Sequence, residues 1–82
     1  MARYFFDLIN SDGNVRDDHG QEMSTREGVS HEVSRILVDI AREELPGRGK
    51  GTIAIEVRDE HGQPVFTGCL SFQTRWHDEP EH

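Results

Sequence analysis

Apolar positions change their spacing three times along the chain, and each change marks an element. Arg3-Tyr4-Phe5-Phe6-Asp7-Leu8-Ile9 is aromatic and β-branched, and Asn10-Ser11-Asp12-Gly13-Asn14 follows as a cluster of turn residues. A strand and then a turn are predicted. A short extended piece at 14–17 stops at Asp18-His19-Gly20. Ser24-Thr25-Arg26-Glu27 has the capping-box form, in which the Ser24 hydroxyl accepts from the Glu27 amide, so a helix should start there. Val29, Val33, Ile36, Leu37 and Ile40 then recur at three- and four-residue steps and must face a core. Leu45 is the expected last contact, because Pro46 disfavours helical geometry at its predecessor. Gly47-Arg48-Gly49-Lys50-Gly51 reads as a flexible link. Beyond it, Ile53, Ile55 and Val57 alternate with Thr52, Ala54, Glu56 and Arg58, the pattern of a half-buried strand. Asp59-Glu60-His61-Gly62 turns the chain into a last strand in which Phe66, Leu70 and Phe72 share a face.

These elements compose an α+β domain of two layers in the order strand-strand-helix-strand-strand. The expected sheet is antiparallel with order 2-1-3-4, the first strand lying inside because it is apolar on both faces. The helix stripe then covers Tyr4, Phe6, Leu8, Ile53, Ile55, Val57, Phe66, Leu70 and Phe72. Strand alternation sends Phe5, Asp7, Ile9, Ala54, Val65 and Cys69 to the opposite face, which has no lid. Asp7 there needs a partner such as Arg58 on the neighbouring strand. The domain spans residues 1–72, and 73–82, with Asp78, Glu79, Pro80 and Glu81 and no periodicity, is expected to be a disordered acidic tail.

Composition narrows the function. Hydrophobic residues make up 33% and charged residues 30%, and 16 Asp+Glu against 9 Lys+Arg leave a net charge of -7 in 82 residues. That balance opposes nucleic acid and anionic lipid as partners. No apolar run is long enough for a membrane span or a signal-peptide core. The single cysteine, Cys69, cannot form an internal disulfide and fits a reducing cytoplasm.

Val15-Arg16-Asp17-Asp18-His19-Gly20-Gln21 recurs as Val57-Arg58-Asp59-Glu60-His61-Gly62-Gln63, with Asp18 against Glu60 the one difference. Shared turn chemistry accounts for this: an acidic residue ends a strand and glycine supplies positive φ. The sharper alternative is that the two turns meet and bind a metal through His19 and His61.

Other candidate chemistry is thin. His31, His77 and His82 sit in no ligand pair, and a lone cysteine cannot build a zinc knuckle. Gly47 to Thr52 is superficially a phosphate loop, but it follows a helix and precedes a strand, the reverse of the required order. Cys69, in a strand interior, reads as a buried and inert thiol. Asp17-Asp18 and Glu43-Glu44 read as solvated faces rather than acid-base pairs. No catalytic residue and no cofactor is expected.

The opening Arg3-Tyr4-Phe5-Phe6-Asp7, the Asp17-Asp18-x-Gly20-x-Glu22 turn before an amphipathic helix and the Val57-x-Asp59-Glu60-x-Gly62 turn before a last strand resemble a family of small uncharacterised alphaproteobacterial proteins, a domain of unknown function. The resemblance covers 3–72 and implies a small soluble cytoplasmic protein with no activity to transfer; Gly28 and the glycine-rich link are departures from it. The leading expectation is a non-enzymatic interaction or regulatory module that self-associates through Phe5 and Ile9, its partner being itself or another protein. A metal- or small-ligand-binding regulatory domain and an antitoxin-like regulator are the alternatives.

Overall fold

A computed structural model describes residues 1–10 and 12–78. Its elements are β1 (Ala2–Asn10), β2 (Gly13–Val15), β3 (Gln21–Met23), α1 (Arg26–Glu44), β4 (Lys50–Arg58) and β5 (Pro64–Gln73). The sheet is antiparallel in the order β2-β1-β4-β5, and β3 also pairs with β1. One helix lies on one face of it, so the class is α+β as the periodicities require.

The first edge departs from the expected order. In place of one second strand, two three-residue strands share the outer edge of β1: Val15 lies opposite Leu8, and Gln21 lies opposite Tyr4. Both run antiparallel to β1, so residues 16–20 form a bulge in one interrupted strand rather than a chain reversal. Asp17, His19 and Gly20 explain the break, as described below.

Alternation decides the core. Along β4, Ile53, Ile55 and Val57 are 2%, 1% and 0% exposed, and they meet Val29, Val33 and Leu37, the four-residue stripe of α1. Phe6 and Leu45 complete the buried set, with Tyr4, Leu8, Ile36, Ile40, Leu70 and Phe72 packed around it. Each such side chain contributes roughly 1.5–3 kcal/mol by leaving water. Gly68 lets the helix come close: a Cβ there would strike Val33 Cγ1. That strand glycine marks a close approach of two layers.

The helix starts one residue later than the capping box implies. Thr25, not Ser24, is the N-cap, its Oγ1 accepting the Gly28 N–H at 2.9 Å. Gly28 then stands at the third helical position, where no carboxylate can return to the cap, and the reciprocal box does not form. Leu45 ends α1 as expected, its N–H donated to the Ala41 carbonyl at 3.0 Å. Lys50 and Gly51, assigned above to the link, belong to β4. β5 runs through Gln73, and the Thr74 N–H bonds the Gly49 carbonyl at 2.7 Å. Of the expected tail at 73–82, Gln73 belongs to β5, residues 74–76 carry no regular structure, with Trp76 73% exposed, and 79–82 lie outside the described residues.

Candidate functional site

The sheet face away from the helix carries a polar cluster at its β1 end. Phe5 lies opposite Arg58 and Asp7 opposite Glu56 in the β1–β4 register. Arg58 donates from Nε to Asp7 Oδ2 at 2.7 Å and from Nη2 to Asp7 Oδ1 at 3.0 Å, the two-pronged pairing that guanidinium geometry favours. Both side chains are largely buried, 12% and 17% exposed. The pairing of Asp7 with Arg58 is the one its position on the strand demands. Arg58 also donates to the Asp17 carbonyl and lies 4.9 Å above the Phe5 ring.

Asp17 supplies what a continuous edge strand would have supplied. Its Oδ2 accepts the Phe6 N–H at 3.0 Å, and its Oδ1 accepts the His19 and Gly20 N–H groups. The Asp17 N–H goes to Asp7 Oδ1 at 2.9 Å. A carboxylate thus replaces ladder carbonyls at the bulge. Burial alone would raise the Asp17 carboxyl, but the N–H groups of Phe6, Gly20 and His19 together hold it below the usual carboxylate value. Arg58 does the same for Asp7, against burial and with help from the Asp17 N–H. On the helix side, Arg35 and then Gln21 pull Glu32 down to about 2 against burial, and Gln21 so ties β3 to α1.

Phe5 is half-buried between Arg58 and Gly20, whose backbone lies against its ring. Ile9 is 37% exposed, with Ala54 opposite it and Cys69 next to Ala54 across β4 and β5. Cys69 is exposed, not buried, because its odd position on β5 points away from the helix. His19 lies on the β2–β3 bulge, its carbonyl bonded by Arg3 at 2.7 Å. His61 lies in the β4–β5 hairpin, its N–H donated to Asp59 Oδ1 at 2.9 Å. The two turns belong to different connections, and among the described residues no three His, Cys, Asp or Glu side chains group as a metal site.

The last strand, an edge strand in the expected order 2-1-3-4 and a second route to association by sheet extension, forms the other edge. Among the described residues no strand pairs with the outer side of β5. Its ten residues, Pro64–Gln73, include no Asp, Glu, Lys or Arg, where a chain that is 30% charged would place about three. Between this edge and the C-terminal half of α1 runs an apolar groove of about 380 Å³, lined by Val38, Ala41, Arg42, Leu45, Leu70 and Phe72. Val38 there is 54% exposed, and at the other end of β5 Val65 and Phe66 are 42% and 37% exposed. The expected order 2-1-3-4 already places the last strand at an edge, and the charge gap is visible in the sequence; the groove beside it is not, because it is formed between β5 and the distant α1.

The family model described as Domain of unknown function (DUF6894) matches residues 3–71. No curated protein and no solved structure matches the chain.

Proposed function

We propose, for a chain that belongs to the DUF6894 family of unknown function, a role as a non-enzymatic interaction module that takes a protein strand along the open edge of β5. One observation carries this reading: a ten-residue edge without a charge, beside an apolar groove. Exposed sheet edges offer a row of backbone donors and acceptors, and proteins ordinarily guard them with charge, bulges or short strands. The β2/β3 edge has all three guards, whereas β5 is long and uncharged and is interrupted only near its start, by a bulge at Val65 between the Arg58–Pro64 and Val57–Phe66 pairs. Strand addition draws affinity from the backbone and specificity from side-chain pockets next to the edge. The groove under Val38 is such a pocket.

The acidic and basic side chains with shifted carboxyls support backbone and ion-pair structure, Asp17 at the bulge and Asp7 with Arg58 across β1 and β4, which fits a binding module better than a catalyst. No helix among the described residues is long and apolar enough to cross a membrane. The lone cysteine fits a reducing cytoplasm.

Selection from a displayed library of extended peptides tests the reading. Selected peptides are expected to slow amide hydrogen exchange along Pro64–Gln73 and to lose binding to Thr67→Lys/Ser71→Lys. Peptides that protect only the Ile9–Ala54–Cys69 face would overturn it.

A further inference from the structure

We infer that the strand taken up at β5 is β5 of a second copy, paired antiparallel about a two-fold axis normal to the sheet. This rests on the reading of β5 as a docking edge and names its occupant.

Three observations select a second copy. The first is charge: each chain carries -7, so two copies repel over most of their surface, and an edge of ten uncharged residues is where they meet at least cost. The second is symmetry. An antiparallel strand pairs with itself under a two-fold axis, and directly opposed residues must share a sheet face, so both helices stand on the same side. Centring near the midpoint of Pro64–Gln73 then allows two registers, one with Cys69 opposite itself and one with Gly68 opposite itself.

The third observation is shape. In the first register Phe66 of one copy lies opposite Phe72 of the other, and in the second it lies opposite Leu70. Either way the exposed Phe66 ring is delivered to the helix side of the sheet at the apolar groove, whose floor is Leu70 and Phe72 and whose wall is Val38 and Leu45. The same contact forms twice. An edge ~34 Å long and roughly 20 Å deep through both layers offers on the order of 700 Å² per copy. The total, about 1,400 Å², lies within the range of stable interfaces. Salt screens the repulsion between the acidic copies and strengthens the pair.

Cys69 reports on this arrangement without any added label. In both registers the two Cys69 side chains lie on the open face, directly opposed or on the adjacent diagonal, within about 8 Å. The experiment is sedimentation of the full chain over a concentration series, with cross-linking of the reduced protein by a short bismaleimide. A monomer–dimer equilibrium and a Cys69-linked dimer are expected. Thr67→Lys/Ser71→Lys and, separately, Val38→Glu should each shift dissociation at least tenfold and suppress the cross-link. Val38 is exposed, so its variant keeps the fold, which an unchanged thermal melt verifies. A monomer at about 1 mM overturns the second copy as occupant, and the edge reading then stands or falls on the displayed peptides. A dimer that survives both variants and does not cross-link places the interface elsewhere and overturns both.

Discussion

Residues 15–21 and 57–63 are nearly the same heptapeptide, yet one makes a bulge within an interrupted edge strand and the other reverses the chain. The local chemistry is shared. Asp17 Oδ1 accepts the His19 N–H as Asp59 Oδ1 accepts the His61 N–H, and Gly20 and Gly62 take φ of 73° and 84°. The difference lies in what the rest of each turn meets. At Asp59 the N–H pairs with the Gln63 carbonyl at 2.9 Å, which closes a hairpin on itself. At Asp17 the second carboxylate oxygen reaches the Phe6 amide of β1 instead. A turn motif therefore sets backbone geometry over a few residues, and a neighbouring strand with an unpaired amide decides where the chain goes next.

The comparison breaks most visibly at the aspartates. Asp17→Ala leaves the Phe6 amide without its acceptor as well as opening the turn, and should cost about 3 kcal/mol, roughly 15 °C in melting temperature for a domain of this size. Asp59→Ala opens only a hairpin turn and should lower the melt distinctly less. Paired thermal melts measure the gap, and equal losses would mean that the Phe6 contact carries no weight.

The glycines come next. Alanine at either site takes on the left-handed conformation at roughly 1–2 kcal/mol. Gly62 has open space around it, but a Cβ at Gly20 would lie 2.9 Å from both Phe5 Cε2 and the Tyr4 carbonyl oxygen. Gly20→Ala should therefore exceed Gly62→Ala in denaturant midpoint loss, with the excess recovered in part by Phe5→Leu.

Acid should separate the two turns by salt. Asp17 and Asp59 are both held below the ordinary 3.8, as is Asp7, and Glu32 falls from 4.5 to about 2. A carboxyl depressed on folding adds stability above its unfolded value and loses it as pH falls through the folded one. Stability should hold above about pH 5 and decline steadily from pH 4.5 towards 2. In urea titrations at acid pH, Asp59→Asn should matter less in high salt, since Asp59 is the more open group, whereas Asp17→Asn should not.

The smallest effect is expected at the one position where the heptapeptides differ. Asp18 and Glu60 are both exposed, so Asp18→Glu and Glu60→Asp should each change stability by less than about 0.5 kcal/mol. A large effect of either would move the cause of the divergence from the surroundings into the heptapeptide itself.

Much of the architecture was legible because it rests on periods. Ile53, Ile55 and Val57 alternate, Val29, Val33 and Leu37 step by four, and each period admits one buried face, so the layers and the side occupied by the helix follow from residue order. The Asp7–Arg58 pair was legible for the same reason: an acid between Phe5 and Ile9 on an interior strand requires a cation on the next one. The N-cap was missed by one residue because Ser24 and Thr25 are chemically equivalent as caps, and the difference lies in which hydroxyl reaches the amide three residues on. Strand alternation, not the interior position of Cys69 along β5, decides that its thiol is exposed on the open face.

The sequence by itself determined the two layers, the core stripe, the turn chemistry of both heptapeptides and the absence of charge from Pro64 to Gln73, since all depend on neighbours a few residues apart. Only the tertiary structure decided that 16–20 bulges, that Phe5 lies beneath Arg58, and that an apolar groove runs beside the uncharged edge strand. Those depend on contacts between residues far apart in the chain, such as the Phe6 amide with Asp17 and Val33 over Gly68, which no local pattern encodes.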